Sequence, residues 1–412
     1  TMARADGSRV NALVIPVISS DRQEQDASTG SADIPLAVTG ERTFVKVEVP
    51  VGIGMTVEGD DSTKPDKTDL ITAIKSRTVP GSAEQDSMVE LGQFFLKTLP
   101  STEDLWVRTV IISQASHSDA SGKLVFRGEP TDITQNNALV LDFTHLPKNS
   151  TVGLEDVNFA AIVGGVSVTT GAGQQLLIAD NKSQTLDLGA GNDTVYAGGG
   201  DDVLINSSGN DRMFGQNGND TLSGENGQNI LHGGADSDTA KFVGKAEDYT
   251  VEQHHGFVKV INKADPSKST LVVNTETLQF ADNALNVQNP PALNALAGMY
   301  QQVLGRQADI YGFDYFGDLQ AKGYSMGGMA LNMMKTAEGQ ARGWVLTGDP
   351  VNDVEVLYQG LLGRASDAGG KAAWVQAIQS GGMTLEQAAN AFVQSGEMHT
   401  HYVGPTGWDF LV

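Results

Sequence analysis

The hydrophobic pattern of this chain is most regular from Leu188 to Lys241. Six nine-residue blocks follow one another there without a gap: LGAGNDTVY, AGGGDDVLI, NSSGNDRMF, GQNGNDTLS, GENGQNILH and GGADSDTAK. Their eighth position is apolar throughout, as Val195, Leu204, Met213, Leu222, Leu231 and Ala240. A flexible Gly/Asn/Asp-rich linker has no reason to keep an apolar residue at every ninth position. The pattern predicts a parallel β-roll, in which six residues of each block turn and three form a short strand with the eighth side chain inward. Thr170–Ile178 and Ala179–Asp187 hold the same frame, with Leu177 and Leu186 inward, and read as capping coils.

Upstream, residues 10 to about 168 follow the two-residue period of strands. Thr43–Val57 places Val45, Val47, Val49 and Val51 on one side and Lys46 and Glu48 on the other. Further strands are expected at Val10–Ile18, Leu105–Ser113, Lys123–Arg127, Ala138–Thr144 and Phe159–Thr169. Two helices interrupt them, near Thr68–Arg77 and at Ser82–Leu99, the second opening with the capping-box spacing of Ser82 and Gln85. A β-sandwich with a helical insertion fits this pattern. Val10–Ile18 follows Arg4 and Arg9 as a signal peptide would, but Asn11 and Pro16 interrupt it and no small-residue cleavage site follows. The opening Thr1-Met2 is unlike a native start, so the chain reads as the C-terminal part of something longer.

Downstream, Tyr249–Val260 and Ser269–Val273 are expected strands, and from Leu293 the chain turns helical and repeats itself. Tyr300, Leu304, Gly305 and Arg306 recur as Tyr358, Leu362, Gly363 and Arg364. Asp309, Gly312 and Phe316 recur as Asp367, Gly370 and Trp374, and Glu338 as Glu397. The fold class is multidomain: mainly β, sandwich-like and then a parallel roll, with an all-α C-terminal part. Expected boundaries are 1–168 for the β-rich region, 169–241 for the roll, 242–290 for a β cap and 291–412 for the helical repeats.

The sixth position of the blocks supplies the chemistry. It is acidic in five of six (Asp193, Asp202, Asp211, Asp220 and Asp238), with Asn229 the exception, while the preceding capping coils carry Gln175 and Gln184 there. Glycine dominates the turns (Gly189, Gly191, Gly198, Gly200, Gly209, Gly218 and Gly227), where positive φ and close carbonyls are needed. Calcium takes six to eight oxygen ligands from carboxylates and carbonyls. One turn offers about half such a shell, and the turn two blocks later lies above it and offers the rest. The expected pairs are Asp193 with Asp211, Asp202 with Asp220, Asp211 with Asn229, and Asp220 with Asp238. The third, short of one charge, should be the weakest, and the two Gln coils should be calcium-poor.

Composition narrows the partners. The chain carries 50 acidic against 27 basic residues, a net charge of −23, which argues against nucleic acid and anionic membranes. There are no cysteines, so no disulfide framework exists. No run of 18 apolar residues is present to span a membrane. An acidic, glycine-rich roll repels itself until calcium arrives, so folding is expected outside the cell.

Other candidate chemistry is thin. His117 and His145 stand in no metal spacing, and Asp60, Asp61, Asp66 and Asp69 read as a solvated acidic loop before they read as a calcium loop. Gly323-Tyr-Ser325-Met-Gly327 satisfies the G-x-S-x-G pattern of hydrolase nucleophiles. Helices flank it, however, and its repeat counterpart is Thr384; both residues read as helix N-caps.

Residues 188–241 resemble the RTX (repeats-in-toxin) family. That resemblance implies export through a type I channel and folding on external calcium, and the terminal Asp409-Phe410-Leu411-Val412 resembles the uncleaved signal of such substrates. Residues 242–282 resemble the module that follows such rolls. Residues 295–402 are similar to phycobilisome-linker-like repeats of large bacterial surface proteins. The expectation is a calcium-folded, secreted, non-enzymatic surface protein acting in adhesion, biofilm matrix or surface-layer assembly. Its partners would be calcium, the secretion channel, and a glycan or peptide ligand or further copies of itself. The competing class is a secreted calcium-dependent hydrolase of polysaccharide with its site in the N-terminal region. A pore-forming toxin would need a long apolar segment that this sequence does not contain.

Overall fold

The structure is a computed structural model describing residues 2–3, 9–19, 31–39, 42–59, 68–101, 104–115, 123–128, 135–147, 150–224, 226–287 and 294–400. His117, the acidic loop at Asp60, Asp61 and Asp66, and the C-terminal Asp409–Val412 lie outside these residues. The chain divides into two compact units, residues 1–250 with 260–285 and residues 251–259 with 286–412.

Two large sheets make the first unit. In one, Asp104–Ala115, Gln135–Asp142, Phe159–Val163, Leu176–Ala179, Thr194–Tyr196, Arg212–Asn217, Gln228–Ala235 and Ser269–Val273 pair in parallel in that order. In the other, Leu124–Gly128, Thr151–Glu155, Ser167–Thr170, Thr185–Asp187, Val203–Ile205, Thr221–Ser223, Thr239–Lys241 and Thr277–Gln279 do the same. Successive strands alternate between the sheets, so the chain winds as a solenoid with one strand per sheet in each coil.

Parallel pairing in register stacks like on like. Leu124, Val152, Val168, Leu186, Leu204, Leu222, Ala240 and Leu278 are successive partners up one sheet, and all are buried. Leu139, Ala160, Leu177, Val195, Met213, Leu231 and Val272 form the facing column, equally buried. These two columns are the core, and the eighth position of every block stands in one of them. Each buried leucine contributes about 1.5–3 kcal/mol.

The fold class expected from the pattern is the one observed, with differences of detail. The sheets run through residues 168 and 241 without interruption, so the sandwich-like region, the roll and the following β segment share one pair of sheets. Thr43–Val57 is not one strand: Val51 and Gly52 (φ 91°) turn the chain, sending Arg42–Pro50 and Ile53–Glu58 to different sheets. Phe159–Thr169 is likewise split at Gly164 (φ 113°), and Tyr249–Val260 at Gly256 (φ 85°). Before Asp104 the pairings are antiparallel: Ala12–Ile15 with Ile53–Glu58, and Ser31–Thr39 with Arg42–Pro50.

Helices α1 (Thr68–Arg77) and α2 (Ala83–Thr98) form where expected. The Ser82 hydroxyl caps α2 by accepting from the Gln85 N–H, but the reciprocal half of the box is not made, because Gln85 accepts from Gly81 N–H instead. Leu70, Ile74, Met88 and Phe95 pack on Val107, Val140, Phe159, Ala161 and Ile178. The helical pair therefore covers an outer sheet face that would otherwise expose an apolar patch. Further along that face the column continues as Tyr196 stacked on Phe214 at 4.6 Å, then His232 at 5.7 Å.

The second unit is helical: α3 (Asn294–Met299, extended by a π-turn to Leu304), α4 (Ile310–Ala321), α5 (Met326–Lys335), α6 (Ala337–Ala341), α7 (Pro350–Leu362), α8 (Ala368–Gln379), α9 (Leu385–Val393) and α10 (Gly396–His399). The internal repeat is carried by side chains as well as by helices. Arg306 bonds both Glu338 oxygens (2.6 and 3.2 Å) and lies 5.3 Å over the Tyr300 ring. Arg364 bonds Glu397 and lies 4.9 Å over Tyr358. Gly312 and Gly370 stand beside the Tyr300 and Tyr358 hydroxyls, where a Cβ would come within 2.4 Å of either oxygen. Asp309 and Asp367 cap α4 and α8, and Ser325 and Thr384 cap α5 and α9.

Because the core is two single-file columns, a lost side chain has few neighbours able to collapse around it. Leu204→Ala should cost about 2–5 kcal/mol in denaturant unfolding with calcium present. Val203→Ala, beside it and facing out, should stay within about 0.5 kcal/mol.

Candidate calcium-binding ladders

The sixth-position residues form two ladders, each at the start of the strands of one sheet. Gln175, Asp193 and Asp211 precede strands of the first, and Asn229 is the second residue of its strand there; Gln184, Asp202, Asp220 and Asp238 precede those of the second. In each rung, one side-chain oxygen accepts the backbone N–H of the residue 18 positions earlier. Asp211 Oδ1 accepts from Asp193 N–H at 2.7 Å, Asp220 Oδ1 from Asp202 at 2.8 Å, Asn229 Oδ1 from Asp211 at 2.9 Å, and Asp238 Oδ1 from Asp220 at 2.8 Å. All four pairings expected from the sequence are thus neighbours in space. Asp193 and Asp202 extend the ladders backwards by accepting from Gln175 and Gln184.

The second oxygen is the informative one. Oδ2 of Asp193, Asp202, Asp220 and Asp238 is buried and accepts no hydrogen bond, and neither does Oε1 of Gln175 or Gln184. An ionised oxygen held out of water without a partner costs several kcal/mol unless a cation meets it. Burial accordingly pushes these carboxyls up: Asp193 to about 7, Asp202 to about 9, Asp220 to about 6 and Asp238 to about 8, against the resisting backbone N–H bonds. Asp211 is raised too, again chiefly by burial. Neighbouring carboxylates add to it, Asp211 on Asp193 and Asp220 on both Asp202 and Asp238. Oxygen donors, surplus negative charge and unmet acceptors together suit a hard divalent cation.

The turns pack carbonyl against Cα. Gly189, Gly191, Gly198, Gly200, Gly209, Gly218 and Gly227 all have φ between 62° and 147°. A Cβ on Gly209 would fall 1.4 Å from the Gly191 carbonyl oxygen, so only glycine lets the stacked turns approach. The Asp211–Asn229 rung differs from the others: the Asn206 side-chain amide donates to Asp211 Oδ2 and, at 3.0 Å, to Asn229 Oδ1. A neutral donor there takes up an oxygen that stays unmet in the other rungs.

Sequence spacing missed one rung. Glu276 Oε2 accepts the Asp238 N–H at 2.7 Å, 38 residues on, which adds a fifth member to the second ladder. A short signal was present. Glu276-Thr277-Leu278 repeats the acid–Thr–apolar order of Asp220-Thr221-Leu222 and Asp193-Thr194-Val195. Gln175 and Gln184, expected to be calcium-poor, are buried at the same positions as the acids, each offering a neutral oxygen.

Residues 178–213 and 205–240 match the RTX calcium-binding nonapeptide repeat family. The roll is a run of RTX repeats. Such repeats bind Ca2+, and proteins that carry them are typically secreted. Residues 351–402, the second copy of the helical repeat, match a domain of unknown function, DUF4214. No curated protein matches the chain. Among the described residues, no helix is long and apolar enough to cross a membrane.

Two experiments follow from the RTX ladders. Asn229→Asp restores a charge and should lower the calcium midpoint of folding by roughly tenfold, whereas Glu276→Gln should raise it by a similar factor; a calcium titration followed by circular dichroism checks both. The second concerns pH. Asp193, Asp202, Asp220 and Asp238 each have a folded pKa above the unfolded value of 3.8. Without calcium, the contribution of each to stability is therefore complete below about pH 4 and lost as pH rises through the folded value. In chelator the β signal should be greatest near pH 4 and decline between about pH 6 and 9. With millimolar calcium the dependence should reverse, because loading displaces protons.

Proposed function

We propose that this chain is a secreted, calcium-folded, non-enzymatic bacterial surface protein acting in adhesion or in assembly of an extracellular matrix or surface layer. The observation that carries the reading is the set of buried, unmet carboxylate oxygens in the RTX ladders. Asp193, Asp202, Asp211, Asp220 and Asp238 hold calcium, with Asn229 and Glu276 as further oxygen donors. The glycines from Gly189 to Gly227 let the turns close around the ions. Without the cation these acids oppose the fold, so the chain leaves the cell unfolded through a type I channel and folds where calcium is plentiful.

Several features support a binding role over a catalytic one. Among the described residues, the aspartates whose carboxyls burial raises are Asp180, Asp193, Asp202, Asp211, Asp220 and Asp238, and all lie in the roll. Ser325 is committed to capping: its hydroxyl accepts from Gly328 N–H and donates to Glu386. In the N-terminal region, Glu48 and Glu155 are both engaged by Arg127. Contact surfaces are available elsewhere. Tyr311 and Tyr315, four apart on α4, are 69% and 61% exposed, and exposed aromatic rings favour stacking against sugars and peptide side chains.

Light scattering of the purified protein, in chelator and then in millimolar calcium, tests the reading. Growth into large ordered particles identifies a lattice or matrix subunit. A compact monomer that gains β signal identifies an adhesin-type module. Absence of any response to calcium, or turnover of polysaccharide by residues 1–168 within the loaded chain, overturns the proposal.

A further inference from the structure

The second unit contains a cluster that takes no part in the ladders or in the Arg306 and Arg364 contacts. Residues 251–259 bring His254 and His255 to α4, where Asp314 and Asp318 stand one turn apart. The His255 backbone N–H donates to Asp314 Oδ1 at 2.8 Å, and the same oxygen lies 3.2 Å from His255 Nδ1. Asp318 Oδ1 is 3.7 Å from that nitrogen. His254 Nδ1 lies 3.1 Å from the other Asp314 oxygen. The His255 ring rests on Gly317, where a Cβ would come within 2.4 Å of the ring. Any larger residue would push the imidazole away from the two carboxylates.

The spacing is that of a coordination shell. A tetrahedral ion bonded at about 2.0–2.1 Å keeps its ligand atoms about 3.3 Å apart. The two edges at His255 Nδ1, 3.2 and 3.7 Å, lie either side of that value. One ligand atom from each of His255, Asp314 and Asp318 falls within 4.8 Å of the others. Lys322 Nζ lies 3.6 Å from Asp318 Oδ2, which leaves Oδ1 for the ion.

The geometry points to a divalent transition-metal site, with zinc as the fitting ion, built by His255 Nδ1, Asp314 Oδ1 and Asp318 Oδ1. An imidazole nitrogen separates it from the all-oxygen ladders, since hard calcium takes oxygen and zinc takes imidazole readily. The two carboxylates balance the charge of the dication. His254 is a positioning residue: bonded to the second Asp314 oxygen, it holds that carboxylate toward the ion. Three protein ligands leave a fourth position, and Asp318 is 57% exposed, so that position is open to solvent. The bound ion would pin the 251–259 segment to α4.

Calorimetric titration of the full chain with Zn2+, in excess calcium so that the ladders are filled, tests this. One zinc per chain is expected at micromolar affinity or tighter. Asp318→Asn and His255→Ala should each weaken binding at least about tenfold, and His254→Ala by about tenfold through the loosened Asp314. Asp318→Asn alters only an exposed side chain, so its effect reads on the site itself. Substituting Co2+ should produce the visible absorption of a tetrahedral ion, absent in Asp318→Asn. No zinc binding in excess calcium, or one-to-one binding that both ligand variants leave unchanged, overturns the inference.

Discussion

Everything in the roll depends on a carboxylate divided between two partners. One oxygen is tied to the backbone 18 residues earlier, which fixes coil upon coil. In Asp193, Asp202, Asp220 and Asp238 the other faces a buried space with no donor. The first bond can form only if the carboxylate is inside, and once inside, the second oxygen requires a cation or a proton. Where these carboxyls are ionised, stacking of the turns and binding of the ion are therefore one event. The apolar columns add the hydrophobic drive, but at one inward residue per strand they bury little for the length of chain they order.

The same geometry accounts for the composition. In four of the six blocks a three-residue strand leaves six residues to turn, and those turns press carbonyl against Cα closely enough to exclude side chains. Glycine is forced by contact with the coil beneath, as at Gly209, as much as by backbone angle. Part of the acid excess follows from placing one carboxylate in nearly every turn.

The roll was legible because its coils have one length. Each of the six blocks occupies its expected position, and all four 18-residue pairs meet. The helical duplication was legible for a related reason, since Arg306 and Arg364 each keep their tyrosine six residues before and their glutamate 32 or 33 residues on. What could not be read was the continuation of the sheets beyond the repeat. Val107 pairs with Ala138, and Ile230 with Leu271 across an inserted hairpin, so the coil lengths there share no period. Glu276 was hidden by that insertion. The breaks at Gly52 and Gly256 were hidden by alternation that carries on through a tight turn. The meeting of His255 with Asp314 joins segments 59 residues apart and leaves no local trace.

The two ladders are not equally charged. The first holds two acids, Asp193 and Asp211, between Gln175 and Asn229, whereas the second holds four: Asp202, Asp220, Asp238 and Glu276. Neutralising the second edge would take twice the positive charge that the first requires. The roll is thus electrically lopsided, with the carboxyls crowded along one margin and thinned by neutral amides along the other.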